Sequence, residues 1–150
     1  MIEIPKSEFN ERVRKVQDAM KKDHLDGLFV YGDEYRRENL RYLSNFWPIF
    51  ERGAFCIGQT GDPILAGAPE GAMYAREMCP WGDLRNIKEF ACVSVPEEIN
   101  FPLASFSSLR EILADILVRQ VKPGAFSGCN SRLGKGKSRP TGNRVLGSLR

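Results

Sequence analysis

Few side chains in this 150-residue sequence could carry out chemistry, and their types and spacing restrict what that chemistry is. The acidic pair Asp33-Glu34 offers carboxylates for proton transfer, but no histidine or nucleophile stands near it in sequence. Adjacent acids behind a strand read as a polar loop. The four cysteines, Cys56, Cys79, Cys92 and Cys129, include no C-x-x-C spacing, and His24 is the only histidine. That set is too small for a structural zinc site. Cys56 and Cys92 stand in apolar runs and read as small core residues. Nothing else in the sequence points to secretion, so the even cysteine number does not argue for disulfides. Gly136-Lys137-Ser138 has the ending of a phosphate-binding loop, but Ser131 stands where the pattern requires its first glycine, and no apolar strand leads into it.

The charges divide the chain. Residues 1–121 hold 15 Lys/Arg against 19 Asp/Glu, a net of −4, whereas residues 122–150 hold 7 Lys/Arg and no acid. Seven positive charges could bind a polyanion through counterion release, with steep salt dependence. Phe126 is the only aromatic residue there, which leaves little for base stacking, so nucleic acid is a poor fit. No run of 18 apolar residues exists for a membrane span, and the first residues lack the pattern of a signal peptide. A cytoplasmic location is the expectation.

The elements that must position these residues follow from periodicity. Ser7 is an expected N-cap, and Phe9, Val13, Val16 and Met20 fall on one face of a helix over about 7–23. Leu28-Phe29-Val30-Tyr31 reads as a buried strand ended by Gly32-Asp33. Residues 36–44 fit a short helix broken at Trp47-Pro48. Gly53–Gly58 and Pro63–Ala66 read as the strands of a hairpin around the turn residues Gln59-Thr60-Gly61-Asp62. Residues 70–78 suit a helix and 90–95 a further strand. Ser108-Leu109-Arg110-Glu111 is a capping-box pattern that opens a helix with Leu109, Ile112, Leu113, Ile116 and Leu117 on one face. Pro123-Gly124 follows. Beyond residue 121, six Gly, four Ser, two Pro and scattered apolar residues without period predict a disordered tail over 122–150.

Asn39-Leu40-Arg41-Tyr42-Leu43-Ser44-Asn45-Phe46 then becomes informative, because it stands behind an amphipathic helix and a short apolar strand. The segment resembles the N-x-x-Y-L-[ST]-G-F stretch in the N-terminal domain of the creatinase/prolidase (Xaa-Pro peptidase) family, matching at Asn39, Tyr42, Leu43, Ser44 and Phe46. It departs at Asn45, where the family has Gly, a mild change because Asn tolerates left-handed backbone. The order of hairpin, strand and capped helix is also similar, over roughly residues 7–121. The resemblance implies an α/β fold over 1–121, with a mixed sheet of about five or six strands flanked by helices.

In that family the catalytic domain follows this one and holds two divalent metal ions on two Asp, one His and two Glu. None of those motifs can be placed in this chain, so the resemblance implies no cofactor and no catalytic residue here. It implies instead a role in dimerisation, or in lending loop side chains to the rim of a substrate pocket. Tyr42, Phe46, Trp47 and Arg52 are the rim candidates by resemblance, since aromatics can face a proline ring and an Arg can pair with a carboxylate. Each also has a plain structural reading: Tyr42 and Phe46 as packing, Trp47 as a brace for a turn, and Arg52 as a solvated charge. The expected partner is a second copy or a missing catalytic domain. Two alternatives stay open: a Xaa-Pro peptidase active only with a separate catalytic chain, and a polyanion-binding module using 122–150. The abrupt change near residue 122 suggests a truncated or frameshifted product.

Overall fold

The computed structural model describes residues 3–91, 105–119 and 145–147. The chain runs α1 (Lys6–Lys22), β1 (Gly27–Gly32), α2 (Glu38–Ser44), β2 (Gly53–Gly58), β3 (Ile64–Gly67), α3 (Ala72–Met78), β4 (Leu84–Asn86), α4 (Leu109–Val118) and β5 (Val145–Gly147). Single 3-10 turns occupy Pro69–Gly71 and Lys88–Phe90. The sheet order is β4-β3-β2-β1-β5. The β1–β2 and β2–β3 pairs are antiparallel, and the outer pairs, β3–β4 and β1–β5, are parallel. This is the mixed, helix-flanked α/β sheet that the sequence implies.

Strand alternation divides the core into two layers. Leu28, Val30, Phe55, Ile57 and Leu65 join Phe9, Val13 and Met20 of α1 and Leu40 and Leu43 of α2. Cys56, Ile64 and Ala66 face the other way, onto Ile112 and Ile116 of α4. Both faces of β2 are therefore covered and all six of its residues are buried, which explains its unbroken apolar run. Cys56 lies in this interior, and burial pushes its thiol up to about 12. Burial likewise pushes Cys79 up to about 11. Both stay protonated at neutral pH, consistent with Cys56 as a core residue; Cys92 lies outside the described residues.

The ends of α1 differ from expectation. Pro5 is its N-cap, in extended conformation, and Ser7 falls inside the first turn. Proline's fixed φ already suits a helix entry, so no hydroxyl cap is needed. At the other end His24 takes a left-handed φ of 56°. Its N–H donates to the Lys21 carbonyl, and that of Leu25 to the Met20 carbonyl, which is a Schellman closure with histidine at the usual glycine position.

The expected capping box opens α4. The Glu111 N–H donates to Ser108 Oγ and the Ser108 N–H to the Glu111 carboxylate. The short strand β4 was not anticipated, because Leu-Arg-Asn shows no period and its three residues are only half-buried. The strand expected over 90–95 is not found in its described part, where Phe90 closes a 3-10 turn; the rest lies outside the described residues. Of the tail expected to be disordered, Val145–Gly147 is placed as β5, pairing with Gly27–Phe29, and its other residues lie outside the described ones.

Ion pairs fasten α4 to the sheet. Arg85 donates twice to Asp83, at 2.9 and 3.0 Å, and once to Asp115, at 2.5 Å. Arg119 donates to the same Asp83 carboxylate and to the Asp62 carbonyl. Partial burial acts to raise the Asp83 pKa, but hydrogen bonds from Arg85 and Arg119 outweigh it and hold the carboxyl below its ordinary value. A lowered folded-state pKa contributes stability above the unfolded value, near 4, and loses it as pH falls through the folded value. Asp83→Asn is therefore expected to cost about 1–3 kcal/mol at pH 7. In denaturation curves taken down to pH 3, the gap between variant and parent should narrow as pH drops below about 4.

Candidate functional site

The site is built on α2 and the loop that joins it to β2. Helix α2 rests on a pair of glycines, Gly32 and Gly53, which are opposed across β1 and β2. A Cβ on Gly32 would lie 2.8 Å from Leu40 Cδ2, and one on Gly53 would lie 2.9 Å from Phe46 Cε1. The absence of side chains at these two positions allows the helix to sit directly on the strands.

The segment 39–46 now has a physical reading, residue by residue. Leu40 and Leu43 point into the core. The buried Ser44 hydroxyl donates to the Leu40 carbonyl at 2.6 Å and accepts from the Phe46 N–H at 3.1 Å. Asn45 ends the helix with φ 59°, the left-handed backbone that the departure from glycine has to satisfy. Its N–H donates to the Arg41 carbonyl, and its side-chain amide donates to the Met78 carbonyl at 2.9 Å, tying the turn to the end of α3.

The four rim candidates separate. Phe46 is 1% exposed and packs on Tyr74 with ring centres 5.9 Å apart, so it is a core residue. Tyr42 is 53% exposed, with the Arg12 guanidinium 4.4 Å from its ring centre; Arg12 also donates to the Tyr42 carbonyl. Trp47 is half-buried, and Arg37 and Arg41 both lie over its indole, at 4.1 and 4.4 Å from the ring centre. The side chain of Arg52 is exposed and forms no ion pair among the described residues. Three of the four thus reach the surface of one short segment, and Phe46 anchors that segment from below.

Several residues here escaped the sequence reading. Ile49 and Phe50 are 58% and 55% exposed, directly after the buried Pro48. They are displayed by Glu51, whose side chain is buried and whose Oε2 accepts the N–H of both Ile49 and Phe50, at 3.2 and 3.0 Å. A Cβ on Gly71 would lie 2.6 Å from Glu51 Oε1, so the carboxylate fills the space beside that glycine. An acid directly behind the apolar run Trp47–Phe50 was the available signal for Glu51. The spacing of Arg37 and Arg41, four apart on a helix, was the signal for the cation pair. Glu51→Ala should cost about 1–3 kcal/mol, because two backbone donors lose a buried acceptor. Amide exchange of Ile49 and Phe50 should accelerate in the same variant, while exchange in β2 is affected only through global stability.

Asp33 behaves as the polar loop reading requires: its carboxylate accepts the N–H of Tyr35 and Arg36, each at 2.9 Å. Among the described residues no three His, Cys, Asp or Glu side chains gather as a metal-ligand set. No helix among them is long and apolar enough to cross a membrane.

A helix-flanked mixed sheet with an aromatic and cationic loop beyond its second helix defines an α/β domain. The chain belongs to the creatinase/prolidase N-terminal domain family, whose model matches residues 12–132. Among solved structures it is similar to the Xaa-Pro aminopeptidase (aminopeptidase P) of Streptococcus thermophilus, at 19% identity and a TM-score of 0.45. That match covers 53% of this chain and 57% of the other, so the chain spans little more than half of that protein's length. No curated protein matches it significantly.

Proposed function

We propose that this chain acts as the non-catalytic N-terminal domain of a creatinase/prolidase-type metallohydrolase, through dimer contacts or by completing the rim of a substrate pocket on another domain or chain. The observation that carries this reading is the display over 42–52. Tyr42, Trp47, Ile49, Phe50 and Arg52 reach the surface on a segment held from below by Leu40, Phe46 and the Glu51 carboxylate. Rigid support beneath exposed aromatics suits a surface that meets a second polypeptide. Xaa-Pro hydrolysis and the metal ions it needs belong to the other part of the proposed whole, and a cytoplasmic setting is proposed for this chain with it.

Sedimentation velocity over a concentration series, with the parent chain and Phe50→Ser, tests the dimer arm. Mixing the chain with a creatinase/prolidase catalytic domain and following Xaa-Pro dipeptide cleavage tests the pocket arm. The expectation is self-association weakened by Phe50→Ser, or cleavage raised by the added chain and lowered by Arg52→Gln. A chain that stays monomeric throughout and leaves cleavage unchanged overturns the reading.

A further inference from the structure

Helices α2 and α3 are each seven residues long, so their last carbonyls find no partner within the helix. Each helix ends on a side chain supplied by the segment that follows the other. The buried Trp81 indole, beyond α3, donates from Nε1 to the Leu43 carbonyl in the last turn of α2, at 3.2 Å. The Asn45 amide, beyond α2, donates from Nδ2 to the carbonyl of Met78, the last residue of α3, at 2.9 Å. Pro80 follows two residues later and has no N–H to offer that carbonyl. The two helix ends are therefore cross-tied, and Asn45 serves both. Its backbone closes α2 at a φ of 59°, with its N–H on the Arg41 carbonyl, while its side chain closes α3. Glycine would meet the first requirement, since it adopts left-handed backbone freely. The second needs a side-chain donor as well, which the asparagine amide supplies.

The surface over 42–52 passes through this junction. Three contacts follow one another along it: Asn45 with Met78, Phe46 with Tyr74, and the Glu51 carboxylate beside Gly71. They run along the α3 segment in reverse order, so the loop lies against α3 from its first residue to the acid that holds the Ile49 and Phe50 N–H groups. From this arrangement we infer that Asn45 is a positioning residue for that surface: its amide makes α3 the fixed support on which Trp47, Ile49 and Phe50 are set. Its functional weight rests on the proposed meeting of this surface with a second polypeptide. The fastening itself is internal to the chain and can be read without any partner.

The full chain carries the test, with Asn45→Gly and Asn45→Asp. Asn45→Gly keeps the left-handed turn and loses the donor. Asn45→Asp keeps the shape and tolerates left-handed backbone, but an ionised carboxylate only accepts. Three readouts are taken together: the urea midpoint, amide exchange at Ile49, Phe50 and in β2, and the Trp47 Nε1–H resonance, assigned by Trp47→Phe. Exchange at Ile49 and Phe50 should accelerate about twofold to tenfold in both variants, the fold-change of one net hydrogen bond. The Trp47 resonance should shift, while β2 exchange follows global stability alone. The Asn45→Gly midpoint should stay near that of the parent, because glycine takes the turn readily and the freed carbonyl can turn to water. In the association and cleavage assays described above, both variants should act about twofold to tenfold more weakly than the parent. Unchanged Ile49 and Phe50 exchange with an unmoved Trp47 resonance overturns the inference, whatever the partner assays give. So does a uniform rise in exchange that tracks a lowered midpoint, which is the mark of a merely structural cap. Local loosening with association and cleavage at the parent's level overturns it too. A parent chain that neither associates nor raises cleavage overturns the proposed function instead, and the fastening is then decided by exchange and the Trp47 resonance.

Discussion

Phe46→Ala is expected to lower the unfolding free energy by about 3–5 kcal/mol, the range for truncating a fully buried phenylalanine. The ring is 1% exposed, meets Tyr74, and would crowd any side chain placed on Gly53. Its removal opens a cavity under the turn that carries Trp47 and Phe50. Against the 5–15 kcal/mol typical of a domain, the loss is large enough to leave a sizeable unfolded fraction at 37 °C. Urea denaturation with a lowered midpoint and an unchanged slope checks it. The same measurement separates the two roles open for this residue. A rim side chain that contacts only substrate would cost under about 0.5 kcal/mol, as surface changes do. Tyr42→Ala, at an exposed position, serves as the comparison.

The second large effect concerns the glycine seat of α2. Gly32→Ala would place a Cβ 2.8 Å from Leu40 Cδ2, 3.0 Å from Leu40 Cβ and 3.2 Å from the Arg36 carbonyl. A leucine tip can turn away, but a Cβ and a backbone oxygen move only if the helix moves. The expected cost is about 1–3 kcal/mol, as for overpacking elsewhere. Leu40→Ala alone should cost about 2–5 kcal/mol, since the side chain is completely buried. The two changes together should cost less than their sum, because the new methyl fills space vacated by the leucine tip. The coupling should fall within about 0.5–3 kcal/mol. Relief should stay incomplete, since the contacts with Leu40 Cβ and Arg36 O persist. An additive result would show that the helix had already moved off the strands. In Gly32→Ala the lifted helix should also shift the Trp47 indole resonance, linking the sheet glycines to the surface they support.

Much of this architecture can be read from spacing. Phe9, Val13 and Met20 announce α1, the capping box announces α4, and the turn residues 59–62 announce the β2–β3 hairpin, because each signal is local and repeats over several residues. The pieces that escaped are those whose stability is not local. The strand β4 exists because Leu84–Asn86 completes an edge beside β3, and three residues show no period. The cation pair on Trp47 depends on a turn at Asn45 that folds the loop back over α2. The buried Glu51 has the composition of a surface residue, and only its two backbone donors and the vacant side of Gly71 make its place favourable. The rim candidates came from one short segment, and their sequence could not say that Phe46 faces inward while its neighbours face out. The left-handed Asn45 stands between Tyr42 and Phe46 and divides the outward residue from the inward one.

The order of strands also carries a consequence for time. The three central strands are joined in sequence as an antiparallel meander, whereas β5 reaches β1 from the far end of the chain, pairing Val145 with Gly27. Pairings between close neighbours close small loops and form early; those that span most of the chain wait on a large loss of entropy. Folding should therefore proceed outward from β2. Hydrogen-exchange protection should descend in the same order, with β2 amides opening only on global unfolding and those at the β1–β5 boundary opening first. On a ribosome, the body would gain its aromatic loop and its cation pair well before its last strand had been synthesised.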